Sequence, residues 1–177
     1  NKALPKKYEL IAYHAKLSGQ KKIEYVANVK AAENLIQKSN YRESIEFLLR
    51  ALEVNGLMEN TNKSFQREAD ILFNLIEAYF VLGKYDDAQK HLRHLKEKNH
   101  KKVKDIQVNV LSYEVLYKWV HGELDSALQT SRRVTSVNPG PEIIMRECVR
   151  QTNILCDLGN FKEAEELALN SLQLLNT

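Results

Sequence analysis

The side chains most able to do chemistry fall into three groups. Arg146 and Arg150 are four residues apart, so a helix sets both guanidinium groups on one face, where they can grip a carboxylate from two sides. His91 and His94, at i,i+3, have the spacing to share a metal ion. They lack a compact third ligand, and Cys148 and Cys156 fall on a different helical hairpin, so no metal is expected. Lys90, Arg93, Lys96, Lys98, Lys101, Lys102 and Lys104 form a run of seven cations against one Glu. Such a run can neutralise the phosphates of a nucleic acid or an acidic membrane. It holds no aromatic for base stacking, and a solvated helix end whose cations complement the dipole accounts for it better. There is no Ser-His-Asp order, paired-carboxylate cleft or phosphate-binding glycine loop, so neither an enzyme nor a cofactor is expected.

These residues sit in a chain of 177, with 44% hydrophobic and 28% charged residues, a globular composition rather than a disordered one. No apolar run approaches the ~20 residues that span a bilayer. Six Gly and three Pro are too few for a turn-rich all-β fold. The net charge of +3 is too mild to demand a polyanion, but it is unevenly spread. Residues 1–60 carry ten basic and seven acidic groups, residues 61–105 again ten and seven, and residues 106–177 six and nine. Two cysteines eight residues apart on one helix lie ~12 Å apart along its axis, too far for a disulfide. Free buried thiols suit a reducing, cytoplasmic setting. The first residue is Asn1 rather than Met, which leaves open that the chain is a piece of something longer.

The elements that position these groups are helices. Apolar residues recur at helical spacing over about 5–18, 21–38, 41–55, 65–82, 85–98, 102–120, 123–136, 142–157 and 161–175, with no strand candidate. Breaks fall at Ser18-Gly19-Gln20, Ser39-Asn40, Gly83-Lys84, Gly122-Glu123 and Gly159-Asn160, where Gly supplies a left-handed cap. Wider breaks span Asn55–Ser64 and Asn138–Pro141.

Four breaks repeat one phrase. A small residue and a polar one precede a large apolar residue (Tyr41, Tyr85, Leu124, Phe161), and three positions later comes a small one (Ser44, Ala88, Ala127, Ala164). The small residue lets two helices approach closely, and the large one fills the gap at the turn. Leu48, Ala51, Leu52, Leu92, Leu95, Ser131, Val134, Ala168, Ser171 and Leu172 continue the same inner face. Repeats about forty residues long are the signature of stacked helical hairpins.

On these residues the chain resembles the tetratricopeptide-repeat (TPR) family, over about residues 21–177, in a degenerate, long-hairpin form. The first helices match through Ala31, Ala32 and Leu35, and through Leu72, Leu75, Ile76 and Tyr79. Glu114 and Gln151 stand where an apolar residue is usual, and Lys118 where an aromatic is usual. The resemblance implies an all-α, right-handed superhelical solenoid over residues 1–177, with a leading helix 5–18 and hairpins at about 21–55, 65–98, 102–136 and 142–175. A second resemblance, through Ile11-Ala12-Tyr13-His14, Ser18-Gly19 and Tyr41-Arg42-Glu43-Ser44-Ile45, is to the C-terminal repeat regions of large signalling ATPases.

The family binds peptides or partner helices on a concave face made by its first helices. The resemblance projects Phe73, Asn74, Glu77 and Phe80 onto that face, then Asn109, Tyr113 and Leu116, with Trp119 near the end, then Arg146, Arg150 and Asn153. The Lys and Asn of the two-carboxylate clamp found in chaperone-tail binders are replaced by Phe73, Glu77 and Tyr113, so that mode is not expected. The competing reading makes the aromatics core filling and leaves the arginines solvated or paired with Glu142 and Glu147. The expectation is a non-catalytic interaction scaffold for a protein or peptide, within a larger signalling protein. The alternatives are a peptide-switched regulator and an acidic-surface or nucleic-acid binder using Lys90–Lys104. The exposed ends of such an array need cover, from flanking sequence or from self-association.

Overall fold

The computed structural model describes residues 7–58, 62–99, 103–137 and 139–175. Among these residues the chain is all-α, with no strand. The helices are α1 (Lys7–Leu17), α2 (Lys21–Gln37), α3 (Tyr41–Gly56), α4 (Asn62–Val81), α5 (Tyr85–Lys98), α6 (Lys104–Val120), α7 (Leu124–Ser136), α8 (Pro141–Asp157) and α9 (Phe161–Leu175). The largest departure from the expected bounds is at α4, which opens at Asn62 rather than at 65. Asn55, a buried residue of α3, bonds directly to the start of α4. Its amide nitrogen donates to the Ser64 carbonyl at 3.2 Å, and its Oδ1 accepts from Arg67 Nε at 3.0 Å.

Five helix ends share one turn. In each, an N–H bonds back five residues: Gln20 to Ala15, Asn40 to Leu35, Lys84 to Tyr79, Glu123 to Lys118 and Asn160 to Leu155, at 2.8–2.9 Å. The preceding N–H bonds back three residues, which completes the Schellman motif. The motif needs a left-handed residue. Glycine supplies it in four cases, and Ser39 takes it with φ of 58°. At Gly159, φ is 78° and a Cβ would meet nothing within 4 Å, so glycine is favoured there by backbone strain and not by crowding.

The chain divides into two compact units, Asn1–Leu95 and Lys96–Thr177. In the first, α1 packs on α2, α2 on α3 and α3 on α4. Its core is small and aliphatic: Ala27, Ala31 and Ala32 of α2, Leu48, Ala51 and Val54 of α3, and Leu72, Leu75 and Ile76 of α4 are all buried. In the second, α6 packs on α7, α7 on α8 and α8 on α9. Val115, Ala127, Leu128, Ile154, Leu155 and Ala164 form its core, with Trp119, Leu124, Leu158 and Leu167 against it. Ser44, Ala88, Ala127 and Ala164, the small residues of the repeated phrase, are all buried, as close helix approach requires.

Three expectations are corrected. Phe161, expected to fill its turn, is 68% exposed, and Leu172, expected on the inner face, is 57% exposed. Both lie on α9, which turns Ala164 and Ser171 inward instead. Cys148 is buried, but Cys156 is exposed; both are free thiols.

Candidate functional site

The second unit carries charge in its interior. Ser112 on α6, Ser131 on α7 and Glu147 on α8 are fully buried, and Gln151 nearly so. Both serines are small enough to stand where helices pack closely and still present a hydroxyl. Ser112 Oγ donates to Glu147 Oε1 at 2.5 Å, and Ser131 Oγ donates to Oε2 at 2.7 Å. Gln151 Nε2 donates to Ser131 Oγ at 3.1 Å. Three residues along α8, Arg150 reaches Glu147 Oε1 at 2.5 Å and also donates to the Ser112 carbonyl (2.9 Å) and Oγ (2.7 Å). A buried carboxylate costs several kcal/mol in lost hydration, and only a full set of charge-assisted partners offsets that. Here each carboxylate oxygen has one. Burial pushes the Arg150 pKa below its ordinary value, and the neighbouring Arg146 acts in the same direction against the pull of Glu147. A guanidinium titrates so high that it stays charged.

Arg146 is different. Its NH2 group donates to Ser112 Oγ at 3.0 Å and lies 3.5 Å from Asn109 Oδ1. Its Nε is buried with no hydrogen-bond partner, 3.9 Å from Glu147 Oε1. The side chain remains 39% exposed, against 11% for Arg150. One carboxylate between two guanidinium groups leaves one positive charge in excess, and it sits at the accessible end.

The network gathers Asn109, Arg146 and Arg150 of the expected groove, and Tyr113 is close enough to Arg150 to influence its charge. Leu116 is half-buried and Asn153 exposed. The other four expected residues lie on α4 in the first unit. Phe73 and Asn74 are half-buried there, Glu77 is exposed, and Phe80 packs its ring against Tyr85 at 5.7 Å. Sequence reasoning paired Arg150 with Glu147 only as the competing reading, and it missed Ser112 altogether. The signal was present: Ser112, Ser131 and Gln151 are polar residues in register with the apolar face of their helices. The other departures are also paired, Glu114 with Lys96 and Lys118 Nζ with Thr130 Oγ1 at 2.8 Å.

The first unit holds a smaller polar centre. Glu24, buried, takes Arg50 at 2.6 Å, while the exposed Glu53 takes the other side of the same guanidinium at 2.6 Å. Of the expected basic run, Lys90 is bound to Asp87 at 2.9 Å, Lys96 to Glu114, and Arg93 donates to Gln89 at 3.2 Å. Lys98 and Lys104 are exposed, and Lys101 and Lys102 lie outside the described residues. His94 pairs with Glu68 at 2.8 Å, and His91 stacks on Tyr79 with ring centroids 5.6 Å apart. No group of three or more potential metal ligands occurs among the described residues. No described helix is long and apolar enough to cross a membrane.

In comparisons with known proteins, no family model matches the chain and no curated protein matches it.

Proposed function

We propose that this chain is a non-catalytic, tetratricopeptide-like scaffold that holds an acidic peptide or partner helix on the first-helix face of its hairpins, as part of a larger signalling protein. The observation that carries this reading is Arg146. Its guanidinium is held in place by Ser112 and Asn109 and carries the charge that Glu147 does not cancel, on a side chain that is 39% exposed. A cation fixed in this way binds a carboxylate without first losing side-chain freedom. Tyr113, Leu116 and Asn153 supply apolar and amide contacts beside it on α6 and α8. In the first unit, Phe73, Asn74, Glu77 and Phe80 carry the same reading on α4. The repeated Schellman turns and the buried small residues support close stacking of neighbouring helices within each unit. Two free thiols suit a cytoplasmic location.

The test is an array of short acidic peptides with free or amidated C-termini, probed with the wild type and with Arg146→Ala. Loss of carboxylate-dependent binding in a variant with an unchanged thermal midpoint supports the reading. Retention of the same peptides by Arg146→Ala overturns it. Arg150 is unsuitable as a binding probe, because its removal strands a buried carboxylate. A peptide-switched regulator is the same site with a change of curvature added, visible in solution scattering. The nucleic-acid alternative is weakened by the pairing of Lys90 and Lys96 within the chain.

A further inference from the structure

Arg67 on α4, in the first unit, is a second guanidinium fixed by its neighbours. Its Nε donates to Asn55 Oδ1 on α3 at 3.0 Å, and Asn55 in turn donates to the Ser64 carbonyl at 3.2 Å. Its Cζ lies over the ring of Tyr25 on α2, 5.7 Å from the centroid, within the range of a cation–π contact. These contacts leave three donor groups over. Nη1 and Nη2 of Arg67 and the hydroxyl of Tyr25 have no hydrogen-bond or ion-pair partner among the described residues. None of the three is sealed from solvent, because among those residues Arg146 Nε is the one buried side-chain nitrogen or oxygen without a partner. With Nε committed to Asn55, the guanidinium offers its outer end, and two Nη groups side by side match the two oxygens of a carboxylate.

Charge narrows the ligand. Arg67 is the cation that acts on the Tyr25 hydroxyl, and Asp70 and Glu33 are the carboxylates that do. Glu33 is bound to Lys30 at 2.6 Å, whereas Asp70 is exposed and accepts only from Gln66, at 3.0 Å. Neither forms an ion pair with Arg67. Glu24, next to Tyr25 in sequence, is buried and held by Arg50. Lys21 and Lys22, one turn earlier on α2, are exposed, and hydrated surface lysines add little to a fixed site. One guanidinium thus faces one unmatched carboxylate, Asp70. That balance leaves room for a monoanion gripped at two points and repels a phosphate dianion more strongly.

We propose that Arg67 and Tyr25 form a carboxylate-binding site of the first unit, in which the two Nη groups and the Tyr25 hydroxyl take one carboxylate of a peptide partner. The site deepens the scaffold reading and rests on it for the nature of the partner. A partner that uses both units then carries two carboxylates, one for Arg67 and one for Arg146. Asn55 and the Tyr25 ring hold the guanidinium before the ligand arrives, so little side-chain freedom is lost on binding.

Nitrogen-15 labelling of the 177-residue chain lets the arginine Nε–H signals report each guanidinium separately. The probes are sodium acetate, inorganic phosphate at matched ionic strength, and two acetylated glycine peptides. One peptide carries a single Glu and an amidated C-terminus; the other carries Gln and a free C-terminus, which tells a side-chain carboxylate from a terminal one. Acetate and at least one peptide should shift the Arg67 signal saturably, while the exposed Arg133 gives the nonspecific response. Phosphate should bind more weakly than acetate. Tyr25→Phe keeps the ring and removes the hydroxyl, and should weaken acetate binding about two- to tenfold. Asp70→Asn removes the opposing charge from an exposed position and should tighten binding about two- to threefold. Thermal midpoints check that both variants are folded. Four outcomes overturn the site: an Arg67 signal no more responsive than that of Arg133, tighter binding of phosphate than of acetate, full affinity in Tyr25→Phe, or weaker binding in Asp70→Asn. The Arg146 signal keeps the two readings apart. A response at Arg146 alone overturns the Arg67 site and spares the reading of the second unit, and a response at Arg67 alone does the reverse.

Discussion

Arg150 Nη1 and Glu147 Oε1 are 2.5 Å apart, one turn apart on α8, and the carboxylate is wholly buried while the guanidinium is 11% exposed. This pair ties three helices of the second unit together, because both members also bond to Ser112 on α6 and the carboxylate bonds to Ser131 on α7. Its stability consequence is asymmetric. Arg150→Ala leaves Glu147 buried without its principal countercharge and should cost about 3–5 kcal/mol. Glu147→Leu combined with Arg150→Met removes both charges and should recover most of that loss. Urea unfolding of the two single variants and the double variant measures the difference. Equal losses in all three would show that packing, not charge, is what the pair supplies.

Arg50 offers an internal control in the first unit. The same guanidinium holds Glu24, whose side chain is 5% exposed, and Glu53, which is 61% exposed. Glu53→Ala removes a solvated pair and should change stability by no more than about 0.5 kcal/mol. Arg50→Ala strands the buried Glu24 and should cost several times as much, on the order of 2–3 kcal/mol given that Arg50 is itself partly solvated. Thermal unfolding of both variants in one buffer decides whether burial sets the ranking.

Ser39 occupies a left-handed conformation that the four other turns assign to glycine. Ser39→Gly should therefore stabilise the protein by roughly 0.5–1 kcal/mol, and Gly159→Ala should destabilise it by about 1 kcal/mol. Because a Cβ at Gly159 meets nothing within 4 Å, a crystal structure of Gly159→Ala should show unshifted neighbours. A midpoint that falls on Ser39→Gly would count against the turn as the site of strain.

His91 makes stability depend on pH. It is half-buried against Tyr79, and burial, with help from nearby His94 and Lys90 and against Asp87, pushes its pKa below the ordinary 6.5. Above about pH 6.5 both the folded and unfolded chains hold it neutral, and its contribution is complete. As pH falls below that value the unfolded chain takes up the proton first, so stability is lost until the folded pKa is passed. His91→Phe keeps a ring against Tyr79 and should flatten the slope of the thermal midpoint below about pH 6.5. An unchanged slope would assign the dependence to other groups.

The sequence alone determined the secondary structure. Periodicity marked each helix, and the repeated small–polar–large-apolar phrase located four of the five turns, because a Schellman motif is local and depends on one left-handed residue and its immediate neighbours. It also predicted the close packing at Ser44, Ala88, Ala127 and Ala164, since a small residue at a fixed offset from a turn has one evident use. Tertiary structure alone decided what the polar residues do. Arg146 and Arg150 look equivalent along the helix, yet Ser112 lies 35 residues from Glu147 and reaches it only when α6 and α8 pack in the same unit. That packing commits Arg150 to the interior and leaves Arg146 with the unmatched charge. Phe161 shows the same limit from the other side. Its place in the repeated phrase matches Tyr41 and Tyr85, and only the packing of α9 shows that its ring faces solvent. Charge compensation and burial depend on neighbours distant in the chain, which periodicity does not encode.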